Sequence, residues 1–399
     1  MTAVPAHTLP DSPLVLRWAV GETEHTALWR SEAGVPPPAR VLPVDDTVRA
    51  DAAYRAICEG AALLWQGDFH NARQLLSALA RRLERRPAAR GRAAAAAGSP
   101  ADAAQAFYRH RQEQGRRARV LAAVLVPLEG DYAIALRRAP DWRAACAQAW
   151  GPPGGQPSVV SLRELLGLNG AFEWRRKGVP VPALGPEARI HPHYGVFSPV
   201  RGEYIDLVAQ APLPAALATH PVAVDLGVGT GVLSAVLAQR GAGRVLATDL
   251  DPRALACAAE NLAQLGLSAR VQLLQADLYP PGVQAGLVVC NPPWLPAKPS
   301  APVERAVYDE GSRMLRGFLA GLRAHLAPGG EGWLILSDLA EHLGLRTRAE
   351  LLAWVQAAGL RVLGRIDTRP RHPKAQDASD PLHAARAAER TSLWRLGAA

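Results

Sequence analysis

Four cysteines, two methionines and three lysines are all that this chain of 399 residues holds of those types. Cys58, Cys146, Cys257 and Cys290 are far apart, and none belongs to a CxxC or similar spacing. A zinc site or a disulfide framework is therefore not expected, and no other metal site is expected either. Free thiols suit a reducing compartment, so the expected location is the cytoplasm. Long apolar runs are also lacking. The strongest, such as 120–128, fall far short of the ~20 residues that span a bilayer. The N-terminus has no basic head followed by an apolar run, so no signal peptide and no membrane partner is expected.

What is present is enough apolar material for a real core, at 49% hydrophobic against 20% charged residues. The length exceeds one ordinary domain of roughly 100–200 residues. The net charge of +9 is uneven: residues 1–190 hold 25 Lys+Arg against 18 Asp+Glu, and residues 191–399 hold 20 against 18. A basic N-terminal half suggests a polyanionic neighbour such as RNA or a ribosome. The competing reading is a solvated arginine surface on an Arg- and Ala-rich chain.

Residues 1–45 read as loops and short strands. Asp45 and Asp46 are candidate caps for a helix over 47–65, broken by Gly67 and Asp68. Leu75, Leu76, Leu79 and Leu83 then fall at helical spacing, which predicts an αα-hairpin. The stretch 81–92 holds six arginines and leads through alanines 93–97 to an expected loop at Gly98, Ser99 and Pro100. A basic helix is expected over 101–119, then a β-hairpin or two apolar segments around Glu129-Gly130-Asp131. Asp141 is a candidate cap for a helix ending at Trp150, and 151–157 reads as a linker. The reading is thus a mainly α-helical, basic accessory and substrate-recognition domain over 1–169.

From Val222 the pattern changes to short apolar strands alternating with amphipathic helices, the mark of a parallel α/β sheet. Strands are expected at 222–227, 244–249, 271–277, 285–290 and 331–337, and helices at 231–240, 252–265, 312–326 and 346–358. Segments 361–369 and 391–396 read as antiparallel strands, with a mobile loop at 369–381 between them.

The sharpest local signal is VAVDLGVGTG at 222–231. Gly227, Gly229 and Gly231, with Thr230 between them, make a tight strand-to-helix turn that lets a ligand approach the backbone. Asp225 precedes the turn and can meet the amino-acid part of a cofactor. Asp249, followed by Leu250, ends the second strand about 20 residues on, where an acid can bind ribose hydroxyls. Asp277, followed by Leu278, ends the third, where a carboxylate can accept from an adenine amine. The dinucleotide spacing G-x-G-x-x-G is absent, because Val232 occupies the last position.

The fourth strand, 286–290, runs into Asn291-Pro292-Pro293-Trp294. An amide or aromatic amine nitrogen is a poor nucleophile because its lone pair is delocalised, so a site that uses it must orient it. The Asn291 oxygen and a carbonyl fixed by proline can each accept one N–H. The Trp294 ring can stack on a planar acceptor. Orientation of this kind supplies much of a rate enhancement. Tyr308, Asp309 and Glu310 read as an acidic helix N-terminus, His325 as a helix C-terminal cation, Cys290 as a buried strand residue, and His191 and His193 as surface-loop residues.

Taken together, VDLGVGTG, ATDLDP, ADLY and NPPW resemble the class I S-adenosylmethionine-dependent methyltransferases that modify amide or amino nitrogens. Among these the chain is most similar to the release-factor glutamine N5-methyltransferases. The stretches 170–184 and 196–208, with Phe197, Pro199, Arg201 and Glu203, match that family's connector loosely. The resemblance implies a β-hairpin connector over 170–205 and a Rossmann-like seven-stranded domain over 206–399. It implies S-adenosylmethionine as cofactor, held by Asp225, Gly227, Gly229, Thr230, Gly231, Asp249, Leu250, Asp277, Leu278 and Asn291. It assigns catalysis to Asn291, Pro292, Pro293 and Trp294. The implied acceptor is a protein such as a release factor or ribosomal protein. The same signature occurs in enzymes that methylate adenine N6 or guanine N2 in RNA or DNA, so a base amine is the alternative. The family usually carries tyrosine where this chain has Trp294, and its N-terminal domain is shorter. A non-catalytic binding module is disfavoured by the joint presence of the acids, the glycines and NPPW.

Overall fold

A computed structural model describes residues 14–84, 99–299, 302–371 and 377–399. The chain divides into two compact units, 1–89 with 111–172 and 90–110 with 173–399.

The first unit is built on a sheet. Its strands are β1 (Val15–Val20), β2 (Thr23–Arg30), β3 (Val41–Val44), β4 (Ala62–Trp65), β5 (Val124–Leu128) and β6 (Ser158–Ser161), in the order β1-β2-β6-β5-β4-β3. β3, β4 and β5 run parallel, and β6 is antiparallel to β5. Helices α1 (Ala50–Cys58), α2 (Phe69–Glu84), α3 (Pro100–Ala122), α4 (Arg143–Trp150) and α5 (Leu162–Lys177) lie between or after the strands. The first half of α3 and the end of α5 belong to the second unit. Leu16, Leu64, Leu125 and Val159 meet in this unit's core.

The mainly helical expectation for 1–169 is therefore corrected to mixed α/β. Ala62–Trp65 and Ser158–Ser161 are buried at every position. A short strand buried on both faces has no alternation to reveal it and merges with a neighbouring helix pattern. The helix expected over 47–65 stops at Cys58, and its last four residues are β4. Asp45 does not cap that helix: its carboxylate accepts from Thr47 N (3.0 Å) and Thr47 Oγ1 (2.7 Å), and Arg49 stands at the N-cap. Asp141 accepts from Arg143 N (3.2 Å), while Trp142 takes the cap position of α4. Residues 151–157 link two elements of one unit, not two domains. Residues 85–98, which include most of the arginine-rich stretch, lie outside the described residues.

Of the connector expected over 170–205, residues 170–177 complete α5. What remains of a hairpin is β7 (Val179–Pro180) paired antiparallel with β8 (Arg189–Ile190). Pro180 and Pro182 lack the N–H that a longer ladder needs.

The rest of the second unit follows the expected alternation. After α6 (Glu203–Gln210) and α7 (Ala216–Thr219) come β9 (Val222–Leu226), α8 (Val232–Gln239), β10 (Arg244–Asp249), α9 (Pro252–Gln264), β11 (Val271–Gln275) and β12 (Ala285–Cys290). Then follow α10 (Arg313–His325), β13 (Leu326–Ser337), α11 (Leu339–His342), α12 (Arg348–Ala357), β14 (Leu360–Thr368), α13 (His383–Ala388) and β15 (Thr391–Ala398). The sheet order is β11-β10-β9-β12-β13-β15-β14, parallel except for β15. This is a Rossmann-like seven-stranded sheet.

Local chemistry explains the helix ends. Asp251 caps α9 by accepting from Arg253 N (2.9 Å), with Pro252 in the first turn. Thr347 and Glu350 form a reciprocal capping box on α12. α10 buries Leu315, Phe318, Leu319 and Leu322, the apolar face its spacing predicts. The short helices α11 and α13 were not expected. α13 begins just beyond the loop anticipated at 369–381, of which residues 372–376 lie outside the described residues.

Candidate functional site

The chain leaves β9 for β10 and β11 on one side, then returns to β12 on the other. Strand order reverses between β9 and β12, and ligands of open α/β sheets bind beyond the C-terminal ends of strands at such a point. The glycine turn follows β9 there, and Asn291 follows β12.

All three turn glycines have positive φ: Gly227 at 78°, Gly229 at 51° and Gly231 at 83°. A Cβ on Gly227 would lie 2.7 Å from Met314 Cε, and one on Gly231 would lie 3.2 Å from Ala258 Cα. The positive φ favours glycine at all three, and at Gly231 the tight approach to Ala258 adds to it. Gly227 N and Val228 N donate to Thr248 O (2.9 and 2.8 Å), which ties the turn to the end of β10. The Asp249 carboxylate accepts from Gly229 N (3.1 Å) and Asp251 N (3.0 Å). Burial raises its pKa against those two bonds. Leu250 beside it is 55% exposed, an apolar surface next to an acid.

Asp225 is buried and turns onto α8, where it accepts from Ser234 Oγ (2.6 Å). Burial pushes its carboxyl up to about 6. Thr230 is buried, and its carbonyl accepts from Asn261 Nδ2 (3.1 Å). Asp277 is half exposed and ion-paired with Arg313. Leu278 has φ 69°, a left-handed conformation uncommon for a non-glycine residue, and its carbonyl accepts from Thr248 Oγ1 (2.5 Å). The seat for this strained turn is α10. A Cβ on Gly317 would meet Leu278 Cδ1 at 2.4 Å, and one on Gly321 would meet the Tyr279 ring at 2.4 Å. Tyr279 donates its hydroxyl to Phe318 O and stacks on His325. His325 Nδ1 in turn contacts Gly321 O.

At the acceptor motif the geometry adds something the sequence did not show. Trp294 Nε1 donates to Asn291 Oδ1 at 2.9 Å. The oxygen expected to receive an acceptor N–H is thus already half used, since an amide oxygen has two lone pairs. The Arg201 guanidinium carbon lies 5.3 Å from the centroid of the Trp294 ring, so a cation occupies one face expected to stack an acceptor. Arg201 is held by Glu203 (3.0 Å) and Glu389 (3.3 Å), and Glu389 accepts from Ser337 Oγ (2.7 Å). Arg201 and Glu203 stood in the segment matched to the family connector. Glu389 and Ser337 had no signal. Asp309 caps α10 by accepting from Met314 N (2.9 Å) and Leu315 N (3.3 Å), as an acid at a helix N-terminus should. Its position is fixed by Asp309 N donating to Leu295 O (2.9 Å), directly after the motif.

His191 and His193 belong to a loop pinned on α9. His191 N donates to Asn261 Oδ1 (2.7 Å), and His193 Nε2 meets Glu260 Oε2 (2.9 Å). Cys290 is fully buried in β12. Among the described residues no cluster of His, Cys, Asp or Glu has metal-binding geometry, and no helix is long and apolar enough to cross a membrane.

The methyltransferase small domain family model matches residues 187–348. A release factor glutamine methyltransferase of Cereibacter sphaeroides is 35% identical over 164 residues, 37% of this chain and 56% of that protein. Its counterpart from Moorella thermoacetica is 42% identical over 117 residues, 28% of this chain and 41% of that protein. A tRNA1(Val) (adenine(37)-N6)-methyltransferase of Shewanella loihica is 31% identical over 150 residues, 35% of this chain and 60% of that protein. The chain thus spans about half the length of the curated relatives it matches. The matched stretch, residues 187–348, takes in both the glycine turn and the Asn291 loop, so both candidate motifs lie within the part of the chain that resembles a methyltransferase small domain.

Proposed function

We propose that the protein transfers a methyl group from S-adenosylmethionine to a planar nitrogen, with the side-chain amide of a protein glutamine as acceptor. The observation that supports this most is the placement of Asn291-Pro292-Pro293-Trp294 directly after β12, the strand paired with β9, which the glycine turn follows.

The residues present fit the cofactor. Asp249, partly buried and without a cationic partner among the described residues, suits the ribose diol, with Leu250 offering an apolar face to the base. Asp277 and Leu278 lie at the end of β11, where adenine would be read. Gly227 to Gly231 leave room for close backbone approach. When bound, S-adenosylmethionine supplies a methyl group on a cationic sulfur. The free lone pair of Asn291 Oδ1 and the Pro292 carbonyl each accept one N–H of the acceptor nitrogen and point its third direction at the methyl. Those contacts strengthen as the nitrogen gains positive charge, so they favour the transition state over the ground state. The nitrogen then sheds its proton after transfer, so no tuned general base is needed.

The test is transfer of labelled methyl from S-adenosylmethionine to fractionated cell extract. The expected label is removed by protease, survives nuclease and is recovered as N5-methylglutamine. Label removed by nuclease would move the acceptor to a base amine. No transfer by folded protein to any fraction would overturn the reading.

A further inference from the structure

We propose that Arg201 is a positioning residue for the acceptor motif: clamped by Glu203 and Glu389, it holds the Trp294 ring so that the indole N–H fixes the orientation of the Asn291 amide. The inference rests on the methyl-transfer reading for its consequence, but its geometry stands apart from any acceptor.

Each link is a described contact. Ser337 Oγ, at the end of β13, donates to Glu389 Oε1 at 2.7 Å. Glu389 accepts from Arg201 Nη2 at 3.3 Å, and Glu203, in the first turn of α6, accepts from Arg201 Nε at 3.0 Å. The Arg201 guanidinium lies over the Trp294 ring. Trp294 Nε1 donates to Asn291 Oδ1 at 2.9 Å. An indole N–H only donates, so its partner must be the amide oxygen and not the amide nitrogen. Trp294 therefore decides which way round the Asn291 amide sits; its ring packs against the apolar core, and Arg201 covers one of its faces.

The choice of residues supports a purpose beyond filling space. The side chains of Glu203 and Glu389 are 2% exposed, and that of Arg201 is 23% exposed. Two carboxylates share one cation, an arrangement whose desolvation cost often makes well-packed apolar side chains at least as stable. Arginine is the residue that can meet two carboxylates through a planar fork while its flat face covers an aromatic ring. A lysine supplies the charge without the plane. The clamp also joins three distant segments: the loop before α6, the end of β13 and the residue after α13.

The test uses the full-length protein, free of cofactor and acceptor, labelled with ¹⁵N. The Trp294 indole signal is identified among ten tryptophans by its loss in Trp294→Phe. Arg201→Ala leaves two buried carboxylates uncompensated and is unsuited to the question, so the variants are Arg201→Lys and Glu389→Gln, each checked for a cooperative melt. The expected result in Arg201→Lys is a displaced Trp294 indole signal whose exchange with water rises about tenfold or more. Glu389→Gln, which keeps arginine on Glu203 alone, is expected to move the same signal less in the same direction. Once an acceptor is in hand, Arg201→Lys should lower single-turnover transfer at least tenfold with cofactor affinity unchanged. A Trp294 signal that stays in place and stays protected in both variants overturns the proposal whatever the acceptor proves to be. A displaced signal in a protein that methylates nothing leaves the clamp standing and removes the methyl-transfer reading.

Discussion

Both units carry aspartates at or just beyond the C-terminal ends of parallel strands, yet the two sets are treated in opposite ways. In the first unit Asp46 follows β3 and Asp68 follows β4. Asp46 accepts from Asp68 N (2.9 Å) and Asn71 Nδ2 (3.0 Å) and pairs with Arg137. Asp68 pairs with Arg138 and accepts from His70 N (2.9 Å). Both are held below the usual carboxylate range, Asp46 foremost by the Asp68 backbone and Asp68 foremost by Arg138. In the second unit Asp277, past β11, pairs with Arg313, but Asp225 and Asp249, the acids nearest the glycine turn, have no cationic partner among the described residues, and burial raises both. The first set is closed by its own chain. The second is left short of positive charge beside an open glycine turn. An acid at a strand end is therefore not in itself a sign of a site; an acid the fold has declined to neutralise is.

The largest expected effect separates chemistry from architecture. Asn291→Ala should lower the single-turnover rate on a glutamine-containing acceptor by about 10²-fold or more, the scale for losing one positioned polar group. Cofactor affinity should stay within a few fold. Asp68→Ala, the comparison in the first unit, should lower the melting temperature and leave cofactor affinity unchanged in the folded fraction. A normal rate in Asn291→Ala would remove the amide-nitrogen mechanism.

Next comes a contrast in the sign of pH dependence. The folded Asp225 carboxyl titrates near 6, against 3.8 without burial. As pH rises from 4 to 6 the unfolded chain ionises first, the folded state binds more protons, and stability falls by up to about 3 kcal/mol. Asp225→Asn should flatten that fall in urea unfolding between pH 4 and 7. Asp68 runs the other way. Its lowered pKa gives stability that is present above 3.8 and lost as pH falls through the folded value. Asp68→Asn should therefore cost stability at neutral pH, with the gap closing in acid. Matching slopes for the two variants would erase the contrast.

Asp249→Ala should weaken S-adenosylmethionine binding by roughly 1–3 kcal/mol in calorimetry, the range for losing a hydrogen-bonding carboxylate. Unchanged affinity in a folded variant would take Asp249 out of the cofactor site. The smallest effect concerns the seat on α10. Gly321→Ala drives a Cβ into the Tyr279 ring and should cost about 1–2 kcal/mol of stability, as overpacking does, while loosening cofactor binding a few fold. A neutral outcome would mean that Tyr279 can shift without disturbing Leu278.

What could be read in advance depended on how local the cause was. β10 and β12 lie at their expected residues, because buried apolar runs bounded by Asp, Gly and Pro leave little choice of register. The glycine turn and Asn291 were legible because their chemistry needs particular residue types in one short stretch. β4 and β6 were not, since four buried residues with no alternation carry no period. The partners of Trp294 were hidden for a different reason. Arg201 and Glu389 are 188 residues apart in the chain, and only the finished sheet brings them together. Asp277 was read as open to adenine, but its pairing with Arg313 depends on where α10 begins.

The position of β15 bears on the order in which the domain can be completed. This strand follows β13 and β14 in the chain but lies between them in the sheet. During synthesis both neighbours emerge before the strand that joins them, and until it arrives β13 presents an unpaired edge of mostly buried residues to other chains. The half of the sheet that holds the glycine turn has no such dependence, since β9, β10, β11 and β12 pair among themselves. A ribosome-stalled chain ending before Thr391 should accordingly protect the β9–β12 half from protease while β13 and β14 remain open to cleavage and to aggregation.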